Sequence, residues 1–191
     1  MKLFIALLVA IIEQDNGRQN VGWLALVLHG AGLYALARWR PRFQYVAGIV
    51  PALSLAALAL WWGLTDANGA TVANWDAERF AWLTVLLGGA YAIGAFALMW
   101  NAGRPGFWAA LSVGAALTHF LLCWYVLRPT ATGTPWGLIS LALGVPFLVG
   151  AERLVKWRAQ MPGATEALGF LAAGVSFFIA AAVPLELERH W

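Results

Sequence analysis

Long apolar stretches alternate with short polar ones along the chain, and six of the apolar stretches contain about 20 residues each. They cover approximately residues 21–39, 43–64, 80–100, 107–127, 136–154 and 167–185. A helix of this length crosses the ~30 Å hydrocarbon core of a bilayer. Unpaired backbone groups in lipid cost several kcal/mol each, so open-ended spanning segments are helices. The pattern predicts an all-α fold, a polytopic transmembrane helical bundle of six full spans.

The N-terminus carries a shorter apolar segment, residues 1–12. Lys2 is followed by ten apolar residues, which as a helix cover about 15 Å, half of a bilayer core. No small-residue cleavage site follows, because Glu13, Gln14 and Asp15 come next. The segment is a short anchor, an interfacial segment or the remnant of a helix whose beginning is missing. Residues 1–191 are expected to form one integral membrane domain.

Tryptophan positions support the membrane interpretation. Of the twelve tryptophans, all except Trp75 lie at or just beyond an end of a predicted span. Indole rings prefer the headgroup level, where the ring is apolar and the N–H stays hydrated. The composition agrees, since 62% of the residues are hydrophobic and only 11% are charged.

Basic residues are concentrated on one side of the predicted bundle. The turns after the first, third and fifth spans carry Arg38, Arg40, Arg42, Arg104, Arg153, Lys156 and Arg158. The other side carries Arg18, Arg79, Arg128 and Arg189. By the positive-inside rule we expect a multi-pass protein of the bacterial inner membrane, with loops 38–42, 101–106 and 155–166 in the cytoplasm and loop 65–79 in the periplasm.

The turns repeat a short motif. Arg40-Pro41-Arg42-Phe43 recurs 64 residues later as Arg104-Pro105-Gly106-Phe107, and Met161-Pro162-Gly163 is a looser third copy. Proline and glycine end one helix and allow the next to begin. The repetition predicts three helical hairpins, produced either by duplication of a unit or by convergence of short membrane turns on the same residue types.

Two histidines lie inside predicted spans and are the first candidate site. His29 is eight residues from Val21 and His119 is eight residues from Leu127, so both lie about 12 Å below the same membrane surface. Removal from water favours the neutral imidazole. The pair, with Thr118 beside it, forms either an intramembrane polar site or hydrogen bonds that hold helices together. Two histidines without a third ligand do not complete a zinc site, so no metal is expected.

The loop 65–79 offers the second candidate site. Asp66, Asp76 and Glu78 supply carboxylates that could perform acid–base chemistry on the periplasmic side. The alternative is an ordinary solvated loop. No phosphate-binding glycine loop or other cofactor motif is present, so no cofactor is expected. The net charge of +3 is spread over loop ends and forms no stripe along which a nucleic acid could bind.

The run "EQDNGRQNVGWLALVLHGAGLYALARWRPR" and the ending "GFLAAGVSFFIAAAVPLELERHW" resemble the bacterial polytopic membrane proteins of the domain-of-unknown-function 2339 family. Members of that family repeat alanine-rich hairpins with Arg–Pro turns and carry an ending similar to residues 182–191 here. The resemblance implies no activity and no catalytic residue. Because its members are usually several times longer, it implies that this chain is a fragment or a shortened relative.

Two functions are therefore left open. The first is a non-enzymatic transport-like or scaffolding component of the cell envelope, which works in the lipid bilayer with other membrane subunits or with the remainder of a longer chain. Its basis is the hairpin repetition and the shortage of charge inside the spans. The second is a membrane-embedded enzyme that acts on a lipid-linked substrate at the outer face.

Overall fold

The computed structural model describes residues 19–67, 74–101, 103–129, 131, 133–157 and 160–187. Within them the fold is all-helical and contains no strand, as predicted. Six helices follow the chain: α1 Gln19–Trp39, α2 Gln44–Ala67, α3 Asn74–Met99, α4 Pro105–Leu127, α5 Trp136–Trp157 and α6 Ala164–Leu187. Each covers one of the six apolar stretches.

Five of the helical segments are long and apolar enough to cross a membrane: Pro41–Gly63, Ala77–Met99, Pro105–Leu127, Trp136–Trp157 and Ala164–Leu187. The predicted count of six full spans is therefore met only in part. Helix α1 forms where it was predicted, but it includes His29, Arg38 and several glycines, which lower its apolar character. The N-terminal segment, residues 1–12, lies outside the described residues.

The helices pack as hairpins. Helix α3 packs along α4 and α5 packs along α6, and contacts between α4 and α6 join the two pairs. Helices α1 and α2 pack on each other and against α3, and α2 also contacts α4. Glycines allow the close approaches, since a Cβ at Gly174 would lie 2.9 Å from Val113 Cγ1. Such small residues are how helices associate in lipid, where burial of apolar surface supplies no driving force.

The two Arg–Pro turns adopt the same local structure. Arg40 caps a short 3₁₀ helix, Pro41–Phe43, which leads into α2, and Arg104 caps α4. Both arginines have extended backbones (φ −132° and −141°), and each precedes a proline in the first turn. Proline suits that position because its missing N–H would have no intrahelical acceptor there. In the third turn, Gly163 has a φ of +80°, which a residue with a side chain rarely adopts.

The connection between α2 and α3 is shorter than the predicted loop 65–79. Helix α2 continues to Ala67 and α3 begins at Asn74. Asp66 is therefore in the last turn of α2, while Asp76 and Glu78 lie in the first turns of α3. Acidic residues are favoured at a helix N-terminus, where the peptide dipoles leave partial positive charge. Asp76 and Glu78 were predicted to lie in a loop because acidic residues are common both in loops and in the first turn of a helix.

The outer surface of the bundle is apolar. Ile93 is 70% exposed and Trp82 is 67% exposed, and each of the six helices has at least one large apolar or aromatic side chain that is exposed. A contiguous apolar surface of this kind is unusual for a protein in water. The structure thus agrees with a membrane-embedded protein.

Candidate functional site

A cavity of about 940 Å³ lies between α3 and α5, with α4 as its floor; we call it the groove. Its walls are mostly apolar, with a few polar side chains at intervals: Glu78, Thr84, Ser112, His119 and Thr134. The groove forms because α3 and α5 both neighbour α4, while α5 packs mainly on α6 and leaves space beside α3.

Aromatic rings close one end of the groove. Phe96 of α3 and Phe147 of α5 meet with ring centroids 6.5 Å apart. Gly150 lets Phe96 approach α5, since a Cβ there would lie 2.7 Å from Phe96 Cε2. Phe147 in turn stacks on Phe178 of α6 with 6.0 Å between centroids. We call this the aromatic end of the groove.

The opposite end of the groove, where α3 and α5 begin, is polar. Glu78, Thr134 and Trp136 line it. The indole Nε1 of Trp136 is buried and has no hydrogen-bond partner among the described residues. A buried N–H without an acceptor costs about 1–3 kcal/mol, so it favours a ligand that brings one. We call this the Trp136 end.

His119 lies in the groove wall between the two ends and is only 3% exposed. Its Nδ1 is 2.8 Å from the carbonyl oxygen of Ala115, and its Nε2 is 3.1 Å from Ser54 Oγ of α2. Its Cβ fits against Gly88 of α3, where an added Cβ would be 2.6 Å away. The ring therefore links α2, α3 and α4, and it also faces the groove.

Of the predicted intramembrane site, His119 alone faces the groove. The side chain of His29 is exposed on the surface of α1. Thr118 is also exposed, and its hydroxyl donates to the Gly114 carbonyl of its own helix at 2.7 Å. Neither His29 nor Thr118 is thus hydrogen-bonded to the His119 ring. Ser54 instead occupies the position beside that ring.

Of the predicted carboxylate site, the structure shows the side chain of Glu78 alone, which is exposed and borders the Trp136 end of the groove. The side chains of Asp66 and Asp76 lie outside the described part of the chain. Among the described residues, no three His, Cys, Asp or Glu side chains cluster in a way that could hold a metal ion.

Ser54, Tyr91 and Trp136 are site residues that sequence reasoning did not identify. Tyr91 donates a 3.2 Å hydrogen bond to the Leu26 carbonyl of α1 and accepts, at its own carbonyl, a 3.3 Å hydrogen bond from Tyr34. Its ring centroid is 6.5 Å from that of His119. One signal was available: Ser54 lies inside an apolar span, 65 residues before His119, close to the 64-residue offset of the turns.

Comparison of the chain with known protein families, curated proteins and solved structures found no match. Membership of the domain-of-unknown-function 2339 family therefore stays a prediction that rests on the residues quoted above.

Proposed function

We propose that this protein is a non-enzymatic, transport-like membrane protein that binds the hydrocarbon chain of a membrane amphiphile in the groove. The observation that carries the proposal is the groove itself, a cavity of about 940 Å³ lined by three helices of membrane-spanning length. Ligand pockets in proteins occupy about 300–1,000 Å³ and are mainly apolar with a few convergent polar groups. This cavity has the same size and the same character.

Access from the side supports a lipid-like occupant. Val85, on the groove wall, is 60% exposed, and Ile93, also on the wall, faces outward to a similar degree. A hydrocarbon chain can therefore enter between α3 and α5 from the surrounding bilayer without crossing water. A water-soluble substrate gains nothing from such an entrance.

The two ends of the groove differ in the way that an amphiphile requires. The aromatic end accepts only an apolar tail. The Trp136 end offers the unpartnered indole N–H, the Thr134 hydroxyl and the Glu78 carboxyl. We expect the headgroup to lie there, with one of its oxygens accepting from Trp136 Nε1.

The orientation in the membrane is part of the proposal. We infer a bacterial inner-membrane location, with the Arg–Pro turns in the cytoplasm and the Trp136 end at the periplasmic face. Helix α1 then completes a sixth span, with Arg38 directed to the cytoplasmic headgroups. Other membrane subunits are the proposed partners, because a groove that is open on one side suits transfer to a neighbour.

The test is binding of a fluorescent fatty acid to the purified protein in nanodiscs. Ala116 lies on the groove floor, and Ala142 of α5 is exposed to the bilayer. We expect Ala116→Trp to weaken binding at least about tenfold, because the indole fills the groove. Ala142→Trp adds the same side chain outside the groove and should leave the affinity within about twofold. Equal affinities in the two variants contradict the proposal.

A second candidate is an enzyme that acts on a lipid-linked substrate, which the position of Glu78 at the Trp136 end favours. A carboxyl group there could exchange a proton with a headgroup. Glu78→Gln keeps the size of the side chain and removes that capacity. If the protein turns over a lipid-linked substrate, the variant should bind it and release no product; full turnover by Glu78→Gln removes this candidate.

A further inference from the structure

Three contacts in series surround the His119 ring. Ala115 O lies 2.8 Å from Nδ1, Ser54 Oγ lies 3.1 Å from Nε2, and Pro51 O lies 2.7 Å from Ser54 Oγ. Both ends of the series are carbonyl oxygens, which only accept hydrogen bonds. Every contact in the series therefore needs its own proton.

A neutral histidine and a serine supply one proton too few. With the ring proton on Nδ1 and directed at Ala115, the Ser54 hydroxyl can donate either to Nε2 or to Pro51 O, and the other contact then has no proton. An imidazolium supplies the missing proton. Nδ1–H then donates to Ala115 O, Nε2–H donates to Ser54 Oγ, and Ser54 Oγ–H donates to Pro51 O.

We propose that His119 reversibly binds a proton within the membrane span, and that the Ser54 hydroxyl rotates from Nε2 to the Pro51 carbonyl when it does so. The proton comes from a hydronium ion: one of its O–H bonds breaks, an N–H bond forms at the Nε2 lone pair, and a water molecule is left. In the uncharged state Pro51 O keeps its ordinary role as a helix acceptor. Each protonation state thus has a hydrogen-bond arrangement of its own.

The groove supplies a route for the proton. His119 and Thr84 both lie in its wall, and Glu78 lies at its Trp136 end. Glu78 precedes Gly88, the residue that contacts His119, by ten positions on α3, a distance of about 15 Å along the helix axis. Glu78, Thr84 and His119 are thus polar groups spaced along the groove, from an exposed carboxyl group to the buried imidazole.

Among the described residues no charged side chain contacts the ring, so the imidazolium relies on its hydrogen bonds to offset the cost of burial. Helix α2 presents Ser54, and α3 presents Tyr91, whose hydroxyl is directed to Leu26 of α1. Cys123 is one turn further along α4, and Tyr34 of α1 donates to the Tyr91 carbonyl. The described residues of α5 and α6 place no titratable side chain in the groove wall. Glu78 is the one ionisable carboxyl group among the described residues that line the groove.

The experiment is solid-state ¹⁵N NMR of the histidine ring with the protein in lipid bilayers. The chain has three histidines, so His29→Gln with His190→Gln leaves His119 as the only one. We expect a neutral Nδ1–H ring at alkaline pH and two protonated nitrogens at acidic pH, in spectra recorded from about pH 4 to about pH 8. A ring that stays neutral over this range, or a neutral form protonated at Nε2, overturns the proposal.

Variants of the hydroxyl test the role of Ser54. Ser54→Ala removes the acceptor for Nε2–H, and we expect the proton affinity of His119 to fall about tenfold. Ser54→Thr keeps the hydroxyl and should stay within about threefold of the parent protein, which separates the role of the hydroxyl from that of packing. Thr118→Val removes the neighbouring exposed hydroxyl and should change nothing. Unchanged proton affinity in Ser54→Ala contradicts the rotation of the hydroxyl.

This proposal does not depend on what the groove binds. Loss of fatty-acid binding in Ala116→Trp with normal titration of His119 would support both proposals. Fatty-acid binding with a permanently neutral His119 would leave the groove function intact and remove the proton site.

Discussion

Gly88 of α3 and His119 of α4 face each other across the contact between the two helices. A Cβ at Gly88 would lie 2.6 Å from His119 Cβ and 2.8 Å from its Cγ. The imidazole has room here, and its Nε2 reaches Ser54 Oγ, because α3 has no side chain at this position. Because Gly88 has no Cβ, the His119 ring can occupy this position in the candidate site.

Replacing Gly88 by alanine should destabilise the protein. The new methyl group must displace the His119 ring or separate α3 from α4, and such overpacking costs about 1–3 kcal/mol. Gly89 is the matched control, because nothing lies within 4 Å of a Cβ placed there. Gly89→Ala should be neutral or slightly stabilising, since alanine favours helix more than glycine does. Denaturant unfolding in detergent measures both, and equal stability of the two variants would contradict the close approach.

The two intramembrane histidines should respond differently to leucine. His119→Leu removes the hydrogen bond between α2 and α4, while the Ser54 hydroxyl keeps the Pro51 carbonyl, so we expect a loss of about 0.6–1.7 kcal/mol in unfolding free energy. His29 faces outward, and His29→Leu should change stability by less than about 0.5 kcal/mol or raise it. The check is unfolding of both variants under one detergent condition. If His29→Leu lost more stability than His119→Leu, His29 would have an interaction partner that the structure does not show.

Trp136→Phe should weaken ligand binding without weakening the fold. Phenylalanine keeps the ring that packs on Phe120 at 6.4 Å between centroids, and it removes the buried Nε1–H. We expect a three- to tenfold lower affinity for a fluorescent fatty acid, the effect of about one hydrogen bond. The control is Trp82→Phe on the lipid-facing surface of α3. Unchanged affinity after Trp136→Phe would exclude the indole from headgroup binding.

Two exposed glycines provide a matched test of orientation. Gly103 precedes α4 at one end of the bundle and Gly133 precedes α5 at the other, and a side chain at either meets nothing within 4 Å. Cys123 is the only cysteine in the sequence, so both variants are made in a Cys123→Ala background. We expect a membrane-impermeant maleimide to label Gly133→Cys in intact cells. Gly103→Cys should react only after permeabilisation. The reverse result would invert the proposed topology.

The order of apolar and polar residues predicted the helical fold of the described residues and one helix for each of the six apolar stretches. The reason is that segments of about 20 apolar residues can satisfy their backbone groups in lipid only as helices. The Arg–Pro turns could also be predicted from the sequence, because a proline restricts its own backbone and that of the residue before it. The first turns of α3 were placed in a loop, since acidic residues suit both settings.

Tertiary structure decided the site. The sequence predicted only the depth of His29 and His119 in the membrane. Both were predicted at the same depth, which suggested a shared site, but their side chains face different surroundings. Which way a side chain points depends on how each helix is rotated about its axis. That rotation is set by contacts such as Gly88 with His119, between residues far apart in the chain. For the same reason the groove could not be predicted from the sequence. It is the space that the packing of the helices leaves between α3 and α5.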